Sequence, residues 1–332
     1  MLFIQTAFIG DAVLVSALLE KWHAQHPQDE LFLLLRKGNE GIYDEHPFLK
    51  KCFTWNKKEG KYRSLWKMLR SIRKEQFDVV INPHRFASSG FLTGFSGAKH
   101  KMGFDKNPLS FLFSGRYAHV LGTKKSKRYQ HEIDRNQSLI SSFTEGNAAQ
   151  PQLYPLQKHE AEAETFAKEA FFCIAPASVW ATKAYPEAQW VALLANLKEF
   201  PVVVLGGPAD RDLAEGIIQK SGHPDAQNAC GKLSFLASAA LMKRAKMNLV
   251  NDSAPLHFAS SVNAPVTAIY CSTIPQFGFG PTRPDALIVE TEEQLACRPC
   301  GLHGHKACPK QHFNCAHHID QQRLLEIVRH AF

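Results

Sequence analysis

Residues 1–20 read MLFIQTAFIGDAVLVSALLE, and this stretch decides the fold class. A run this apolar could be a signal peptide or a membrane span, but it lacks a positively charged start and a small-residue cleavage site. Asp11 also lies in its middle, where a carboxylate costs roughly 2.5–3.5 kcal/mol to insert into a bilayer. We therefore predict a buried strand, a turn at Gly10-Asp11 and a helix over Asp11–Ala24, in a cytoplasmic protein.

The length and composition are typical of a globular protein with two domains. The chain has 332 residues, of which 45% are hydrophobic and 21% are charged, so long disordered segments are not expected. The net charge of +8 suits an anionic partner, which can be a nucleic acid, an acidic membrane surface or a phosphorylated substrate. The excess of positive charge can also serve solubility alone, so the net charge by itself does not decide which partner, if any, the protein binds.

Strand and helix signals alternate along both halves of the chain. The strand segments are nearly all apolar, which is expected when helices cover both faces of a parallel sheet. The predicted strands are Leu2–Thr6, Leu31–Leu35, Cys52–Trp55, Asp78–Asn82, Phe172–Ala175, Val202–Leu205, Met247–Val250, Val266–Tyr270 and Leu287–Glu290. The polar stretch Glu145–Lys158 separates the halves. We predict an α/β protein with two Rossmann-like doubly wound domains, residues 1–150 and 151–332, facing across a cleft.

The turn after the first strand is a candidate for chemistry, because ligands of doubly wound sheets bind where strands end. Residues 7–11 do not form GxGxxG, so the dinucleotide-binding fingerprint is absent. Asp11 begins the next helix, and its carboxylate could accept a proton from a substrate hydroxyl. It could also be an acid that the helix dipole favours. The turn alone does not decide between the two.

Two turns of the second half offer groups that suit a diphosphate. Ser178, Thr182 and Lys183 precede a helix whose first turn contains Pro186, and hydroxyls, an ammonium and helix amides can bind phosphate. A solvated loop is the alternative. In the next turn, Gly207 lets the backbone approach a ligand closely. Asp210-Arg211-Asp212 resembles a DxD metal motif, but helical residues two apart point in nearly opposite directions, so we predict no metal there.

A third turn of the second half is Asn251–His257. Asp252 or Ser253 can cap the helix that follows. The N–H groups at Ser253 and Ala254 would then be available to a phosphate. His257 lies one turn into this helix, and it is either part of the site or a buried core histidine.

Together these turns resemble glycosyltransferase family 9, the ADP-heptose:lipopolysaccharide heptosyltransferases, which have the GT-B fold. The resemblance covers nearly the whole chain. The tail with Cys297 and Cys300 looks closest to the heptosyltransferase II branch. The motifs, in order, are Gly10-Asp11, Lys183–Pro186 with Trp190, Gly206–Pro208, Asn251–His257 and Phe277–Pro281.

The resemblance implies a role for each matching residue. Asp11 matches the catalytic base, and Lys183 matches a lysine that contacts the donor phosphates and stabilises the leaving group. Ser178 is a hydroxyl residue of the same loop, and Asp210 matches an acid that binds the nucleoside. The residues that match the segment holding the donor's diphosphate and heptose are Asp252, Ser253, Ala254 and His257.

The resemblance also implies the reaction and its partners. The enzyme would transfer a heptose from ADP-heptose to the lipid A–core oligosaccharide of lipopolysaccharide, with inversion and without a metal or cofactor. The N-terminal domain would bind the acceptor and the C-terminal domain the nucleotide sugar. We expect a monomer, peripheral at the inner face of the inner membrane, where its basic residues and Trp66 would meet anionic groups. The basic residues are Lys57, Lys58, Lys61, Arg63, Lys67, Arg70, Arg73, Lys74, Lys99, Lys101, Lys106, Lys124, Lys125, Lys127 and Arg128.

Four of the eight cysteines lie in the Cys-rich segment, residues 297–315. Cys297, Cys300, Cys308 and Cys315 could bind zinc, remain free thiols or form a redox-labile pair. With the basic charge they suggest a rival, a zinc-containing nucleic-acid-binding protein. No basic recognition helix accompanies them, so we expect no nucleic-acid partner. The other alternative is a different GT-B enzyme, a UDP-sugar transferase or an epimerase.

Overall fold

The computed structural model describes residues 1–332, apart from the side chain of the basic residue Lys61. The chain divides into two compact units. Unit 1 comprises Met1–Leu121 and Gln130–Tyr154, and unit 2 comprises Gly122–Tyr129 and Pro155–Phe332. The chain therefore passes from one unit to the other within the polar stretch Glu145–Lys158. Lys124, Lys125, Lys127 and Arg128 belong to unit 2, although they fall within residues 1–150, which were predicted to form the N-terminal domain.

Unit 1 contains a six-stranded parallel sheet in the order β3-β2-β1-β4-β5-β6. Its strands are β1 Leu2–Gln5, β2 Leu31–Arg36, β3 Leu49–Trp55, β4 Val79–Asn82, β5 His100–Phe104 and β6 Gly115–Tyr117. Its helices are α1 Ile9–Leu14, α2 Ser16–Gln25, α3 Lys61–Lys74, α4 Ala87–Gly94 and α5 Glu132–Ser138. The strand order reverses between β1 and β4, so the loop after β1 lies at the switch point, where doubly wound sheets bind ligands.

Unit 2 repeats this topology with a six-stranded parallel sheet in the order β12-β11-β10-β7-β8-β9. Its strands are β7 Phe172–Ala175, β8 Val202–Val204, β9 Ala226–Asn228, β10 Met247–Asn251, β11 Val266–Tyr270 and β12 Leu287–Glu290. Its helices are α6 Gln157–Glu164, α7 Glu187–Ala195, α8 Arg211–Ser221, α9 Phe235–Arg244, α10 Ala254–Ser261, α11 Asn314–His317 and α12 Gln321–Ala331. The switch point lies between β7 and β10, which places the loops after these two strands side by side.

The structure confirms the predicted fold class and corrects it in detail. The helix expected over Asp11–Ala24 is two helices that meet at Val15, and the first begins at Ile9, ahead of Asp11. The prediction missed β5, β6 and β9. The last two contain only half-buried or exposed residues, so they lack the apolar run that marks a central strand. No described helix has the length and apolar character that crossing a bilayer requires.

Candidate active site

Asp11 lies in the first turn of α1, directly after the central strand β1. Burial raises the pKa of its carboxyl to about 7, and the negative charge of Glu132 adds to this rise while Arg85 opposes it. A carboxyl group with a pKa near neutral is able to act as a general base. Backbone hydrogen bonds at the helix start also act on this carboxyl and lower its pKa, so both interpretations of Asp11 fit its surroundings.

A buried charged cluster near Asp11 was not predicted from the sequence. One oxygen of Glu132, Oε2, accepts hydrogen bonds from Arg135 Nε at 2.8 Å and Nη2 at 2.7 Å, and His119 Nε2 lies 3.4 Å from the same oxygen. Burial opposes ionisation of Glu132, but the hydrogen bonds and charges of His119 and Arg135 outweigh it and lower its pKa. Glu132 is therefore held as a carboxylate, whose charge acts on Asp11.

The end of β1 is also bordered by basic groups. Lys57 Nζ donates to the carbonyl of Thr6 at 2.8 Å, and the hydroxyl of Thr6 lies 3.0 Å from His84 Nδ1. Burial, followed by the charges of Lys57 and Arg85, lowers the pKa of His84 to about 3, so the ring is neutral at physiological pH. These residues form a polar, cationic margin at the switch point of unit 1, which suits an anionic substrate.

In unit 2 the structure brings Lys183 and Asp252 together at the switch point. Lys183 Nζ lies 2.7 Å from Asp252 Oδ2, and both side chains are largely buried. The hydroxyl of Thr273 donates to the same carboxylate oxygen at 2.6 Å. A lysine and an aspartate 69 residues apart thus form a buried ion pair where the ends of β7 and β10 meet.

The expectation that Asp252 or Ser253 caps α10 is wrong. Ser253 is the residue before the helix, but its side chain makes no capping hydrogen bond, and its hydroxyl instead lies 3.4 Å from the carbonyl of Asn251. The carboxylate of Asp252 is occupied by Lys183 and Thr273. The start of α10 therefore has no side-chain cap that an anion would have to displace.

Asn251 fixes the loop between β7 and α7, a role that the sequence did not reveal. Its Oδ1 accepts from the amide of Tyr185 at 2.9 Å, and its Nδ2 donates to the carbonyl of Pro176 at 2.8 Å and to that of Ala175. Asn251 is fully buried, so these bonds hold both ends of the loop against β10. Ser178 is half-buried on this loop.

Thr182 belongs to the same loop but is directed at the Cys-rich segment. Its hydroxyl accepts from the amide of His305 at 2.8 Å and from the hydroxyl of Ser272 at 3.0 Å, and its side chain is buried. Its backbone also exchanges hydrogen bonds with His305 and Ser272. Thr182 therefore links the loop to Ser272 and to the Cys-rich segment, and it is not an exposed hydroxyl on the surface of the loop.

Gly207 and Asp210 follow β8, the neighbour of β7. The amide of Gly207 donates to Asp210 Oδ2 at 2.7 Å. A Cβ at Gly206 would lie 2.9 Å from both Asp210 Cβ and Cys230 Sγ, whereas a Cβ at Gly207 would meet nothing closer than 3.6 Å. Packing therefore requires a glycine at position 206, while position 207 is open on its outer side.

His257 is buried in α10, one turn after Ser253. Burial by itself does not choose between the core histidine and the site residue. The predicted donor residues of unit 2 thus fall into two groups. Ser178, Lys183, Gly207, Asp210 and the 252–254 segment lie at the ends of three adjacent strands, whereas Thr182 and His257 lie beneath that surface.

The four cysteines of the Cys-rich segment line one cavity of about 300 Å³, together with His305 and His312. Cys297 Sγ lies 3.8 Å from His312 Nε2. Burial raises the pKa of the Cys315 thiol to about 12, so this thiol is protonated. Within the part of the chain that the structure describes, no group of three or more His, Cys, Asp or Glu side chains is arranged to hold a metal ion.

Comparison with known proteins identifies related sequences and structures. The family described as glycosyltransferase family 9 (heptosyltransferase) matches residues 65–308. The chain is 25% identical to the lipopolysaccharide core heptosyltransferase OpsX of Haemophilus influenzae over 276 residues, which are 79% of this chain and 76% of that protein.

Solved structures that resemble the whole chain include the following two. ADP-heptose lipopolysaccharide heptosyltransferase II of E. coli has a TM-score of 0.78 at 17% identity, over 99% of this chain and 97% of that one. A family 9 glycosyltransferase of Veillonella parvula has a TM-score of 0.81 at 16% identity, over 99% of this chain and 96% of that one. These likenesses confirm the GT-B class.

Proposed function

Because the chain belongs to glycosyltransferase family 9, the heptosyltransferase family, we propose that it transfers a heptose from ADP-heptose to the inner core of lipopolysaccharide, with inversion. It is a glycosyltransferase, and this membership removes the reason to consider a zinc-containing nucleic-acid-binding protein. The heptose donor and the lipopolysaccharide acceptor are what the names of its relatives specify for those proteins. Their assignment to this chain rests on that likeness, and the chemistry of the two switch points is compatible with it.

The observation that carries the proposal is the buried Lys183–Asp252 pair beside the start of α10. The amides at the helix start supply positive potential, and the Lys183 ammonium has three N–H donors, of which Asp252 occupies one, so both are able to bind a diphosphate oxygen. In the reaction, the bond between the anomeric carbon and the diphosphate oxygen breaks, and ADP leaves with an added negative charge. Lys183 and the amides of Ser253 and Ala254 stabilise that charge, which is commonly the largest catalytic contribution.

The acceptor hydroxyl attacks the anomeric carbon from the side opposite the leaving diphosphate, so the configuration inverts. Its proton passes to the carboxylate of Asp11, which is basic enough because burial raises its pKa to about 7. Residues 1–150 bind the acceptor in this proposal, and residues 151–332 bind the donor. The cationic margin at Lys57 and Arg85 suits the phosphates of a lipid A–core acceptor.

The two glycines after β8 provide a matched test of donor binding. Gly207→Ala leaves the free energy of unfolding within about 1 kcal/mol, because its Cβ meets no atom closer than 3.6 Å. It raises KM for the donor about tenfold if the donor approaches this backbone. Gly206→Ala lowers the free energy of unfolding by about 1–3 kcal/mol through its clash with Cys230. Urea unfolding and initial rates separate the two effects, and an unchanged KM in Gly207→Ala would remove Gly207 from the donor site.

A panel of nucleotide sugars tests the proposed donor directly. Purified enzyme is incubated with ADP-heptose, ADP-glucose, UDP-glucose or UDP-N-acetylglucosamine, with and without a lipid A–core acceptor that lacks heptose. We expect transfer from ADP-heptose alone, with the anomeric configuration of the product opposite to that of the donor by NMR. Transfer from a UDP-sugar would reject the heptose assignment, and conversion of a UDP-sugar without acceptor would indicate an epimerase.

A further inference from the structure

Arg298 is a buried cation within the Cys-rich segment. Its side chain is only 6% exposed, whereas arginine side chains are ordinarily solvated unless they are paired. A guanidinium removed from water must have its N–H groups satisfied, because an unpaired buried charge is costly. The reaction proposed above gives Arg298 no role, so its burial calls for another explanation.

The partners of Arg298 lie at the ends of β11 and β12. Its Nε donates to the carbonyl of Cys271 at 2.7 Å, and its Nη2 donates to the carbonyl of Thr273 at 2.8 Å. Nη2 also lies 2.5 Å from Glu290 Oε2, at the end of β12. Buried carbonyls beyond the end of a strand need donors from outside the sheet, and a planar guanidinium supplies them in a fixed geometry. We call residues 271–273 the β11 turn.

The β11 turn contacts both sides of the buried ion pair. The hydroxyl of Thr273 donates to Asp252 Oδ2 at 2.6 Å, and the same oxygen lies 2.7 Å from Lys183 Nζ. Ser272 donates to Thr182 twice, from its hydroxyl to Oγ1 at 3.0 Å and from its amide to the carbonyl at 3.2 Å. Thr182 directly precedes Lys183 in the chain. The turn therefore holds the carboxylate directly and, through Thr182, the backbone that carries the ammonium.

We propose that Arg298 is a positioning residue, which through the β11 turn places the Lys183 ammonium for the diphosphate of the donor. Groups that act on a reaction must be held closely by their neighbours, since a displacement of about 1 Å can cost about 10²-fold in rate. Arg298 contacts neither reactant and acts only through the turn and the ion pair. The inference rests on the proposed function for the nature of the donor.

Substitutions at two points of this chain of contacts test the proposal. Arg298→Met should lower kcat by about 10–100-fold. Thr273→Val removes the hydroxyl that binds Asp252 and should lower kcat about tenfold, whereas Thr273→Ser keeps a hydroxyl and should remain within about threefold of the wild type. Arg283→Met is the control and should stay within about twofold, because Arg283 also donates to a backbone carbonyl, that of Asn263, but lies before β12 and outside the β11 turn.

Repeating the changes without the ion pair separates positioning from a purely structural role. Lys183→Met/Asp252→Asn has no ammonium to place, so adding Arg298→Met or Thr273→Val should change its single-turnover rate by less than about twofold. If Arg298 only stabilised the fold, its loss would lower the rate by the same factor in both backgrounds. Arg298→Lys keeps the charge but not the planar group, and its kcat should lie between those of the wild type and Arg298→Met.

A second measurement needs neither donor nor acceptor. Acetic anhydride acetylates accessible lysine amines, and mass spectrometry compares the rate at Lys183 with that at the exposed Lys243 of the same molecule. The side chain of Lys183 is 15% exposed. It should react at least about threefold faster in Arg298→Met and in Thr273→Val, because local opening admits the reagent.

Two outcomes would overturn the role of Arg298. These are an unchanged labelling rate at Lys183 in both variants, and an equal loss of turnover with and without the ion pair. If the wild-type protein transferred no heptose at all, the proposed function would fail, and the labelling rates would still decide whether Arg298 positions Lys183. Thermal unfolding of each variant shows that the rates are measured on folded protein.

Discussion

Replacing Asp11 with asparagine is expected to lower kcat by about 10²–10⁴-fold and to leave KM for the donor nearly unchanged. Asparagine fills the same space but cannot accept a proton from the acceptor hydroxyl. The matched control is Asp212→Asn, since Asp212 is also an acid in a first helical turn but is exposed on α8. Initial rates at saturating donor and acceptor measure the effect. Near-full turnover in Asp11→Asn would show that the base is another group.

The pH dependence follows from the same carboxyl. Asp11 acts as a base only when ionised, and its pKa is raised to about 7, so kcat/KM of the wild type falls about tenfold per unit as pH drops below 7. The residual rate of Asp11→Asn should lack this decline. Between pH 3.8, the ordinary pKa of an aspartate, and about pH 7, the folded state binds more protons here than the unfolded state, so Asp11 lowers stability as pH rises. Asp11→Asn should therefore be at least as stable as the wild type at pH 8, by urea unfolding.

Replacing Lys183 with methionine is expected to have two separable effects. Loss of the ammonium lowers kcat by about 10²–10³-fold, since the leaving diphosphate loses a preorganised cation. It also leaves the buried Asp252 without its cationic partner, which costs about 3–5 kcal/mol of folding free energy. Lys183→Met/Asp252→Asn removes both charges and should recover most of the stability but none of the turnover.

Calorimetry and single-turnover rates on the same preparations distinguish these effects. Lys243→Met, at an exposed lysine of α9, is the control and should match the wild type in both measurements. If the double variant regained turnover together with stability, Lys183 would act by holding the fold and not by contacting the donor.

The sequence predicts the central strands β1 and β7 and the edge strand β12, but it misses β5, β6 and β9. β7, and β1 apart from Gln5 at its end, are apolar on both faces, and both strands are buried throughout, so the pattern of the sequence reflects their position. The edge strands β6 and β9 are partly exposed and give no such pattern. α5 begins at Glu132, where His131 and Asp134 form a capping box that apolar periodicity in the sequence does not reveal.

The candidate site shows a similar division. Strand-end turns identify Asp11, Lys183 and Asp252 as candidates, because topology brings the ends of parallel strands to one edge. The partner of each side chain depends on contacts between residues far apart in the chain. The pairing of Lys183 with Asp252 and the hydrogen bonds of Asn251 are therefore found only in the folded structure.

The contact between Thr182 and the Cys-rich segment has a consequence for engineering this enzyme. Gly304 has a φ of +76°, and a Cβ there would lie 2.8 Å from Thr182 Oγ1, so the Cys-rich segment approaches that threonine too closely for a side chain at position 304. The amide of His305 depends on the same hydroxyl. A chimera that takes the Cys-rich segment from a relative must therefore import residues 178–186 with it. The two stretches, more than a hundred positions apart, are a single module for recombination.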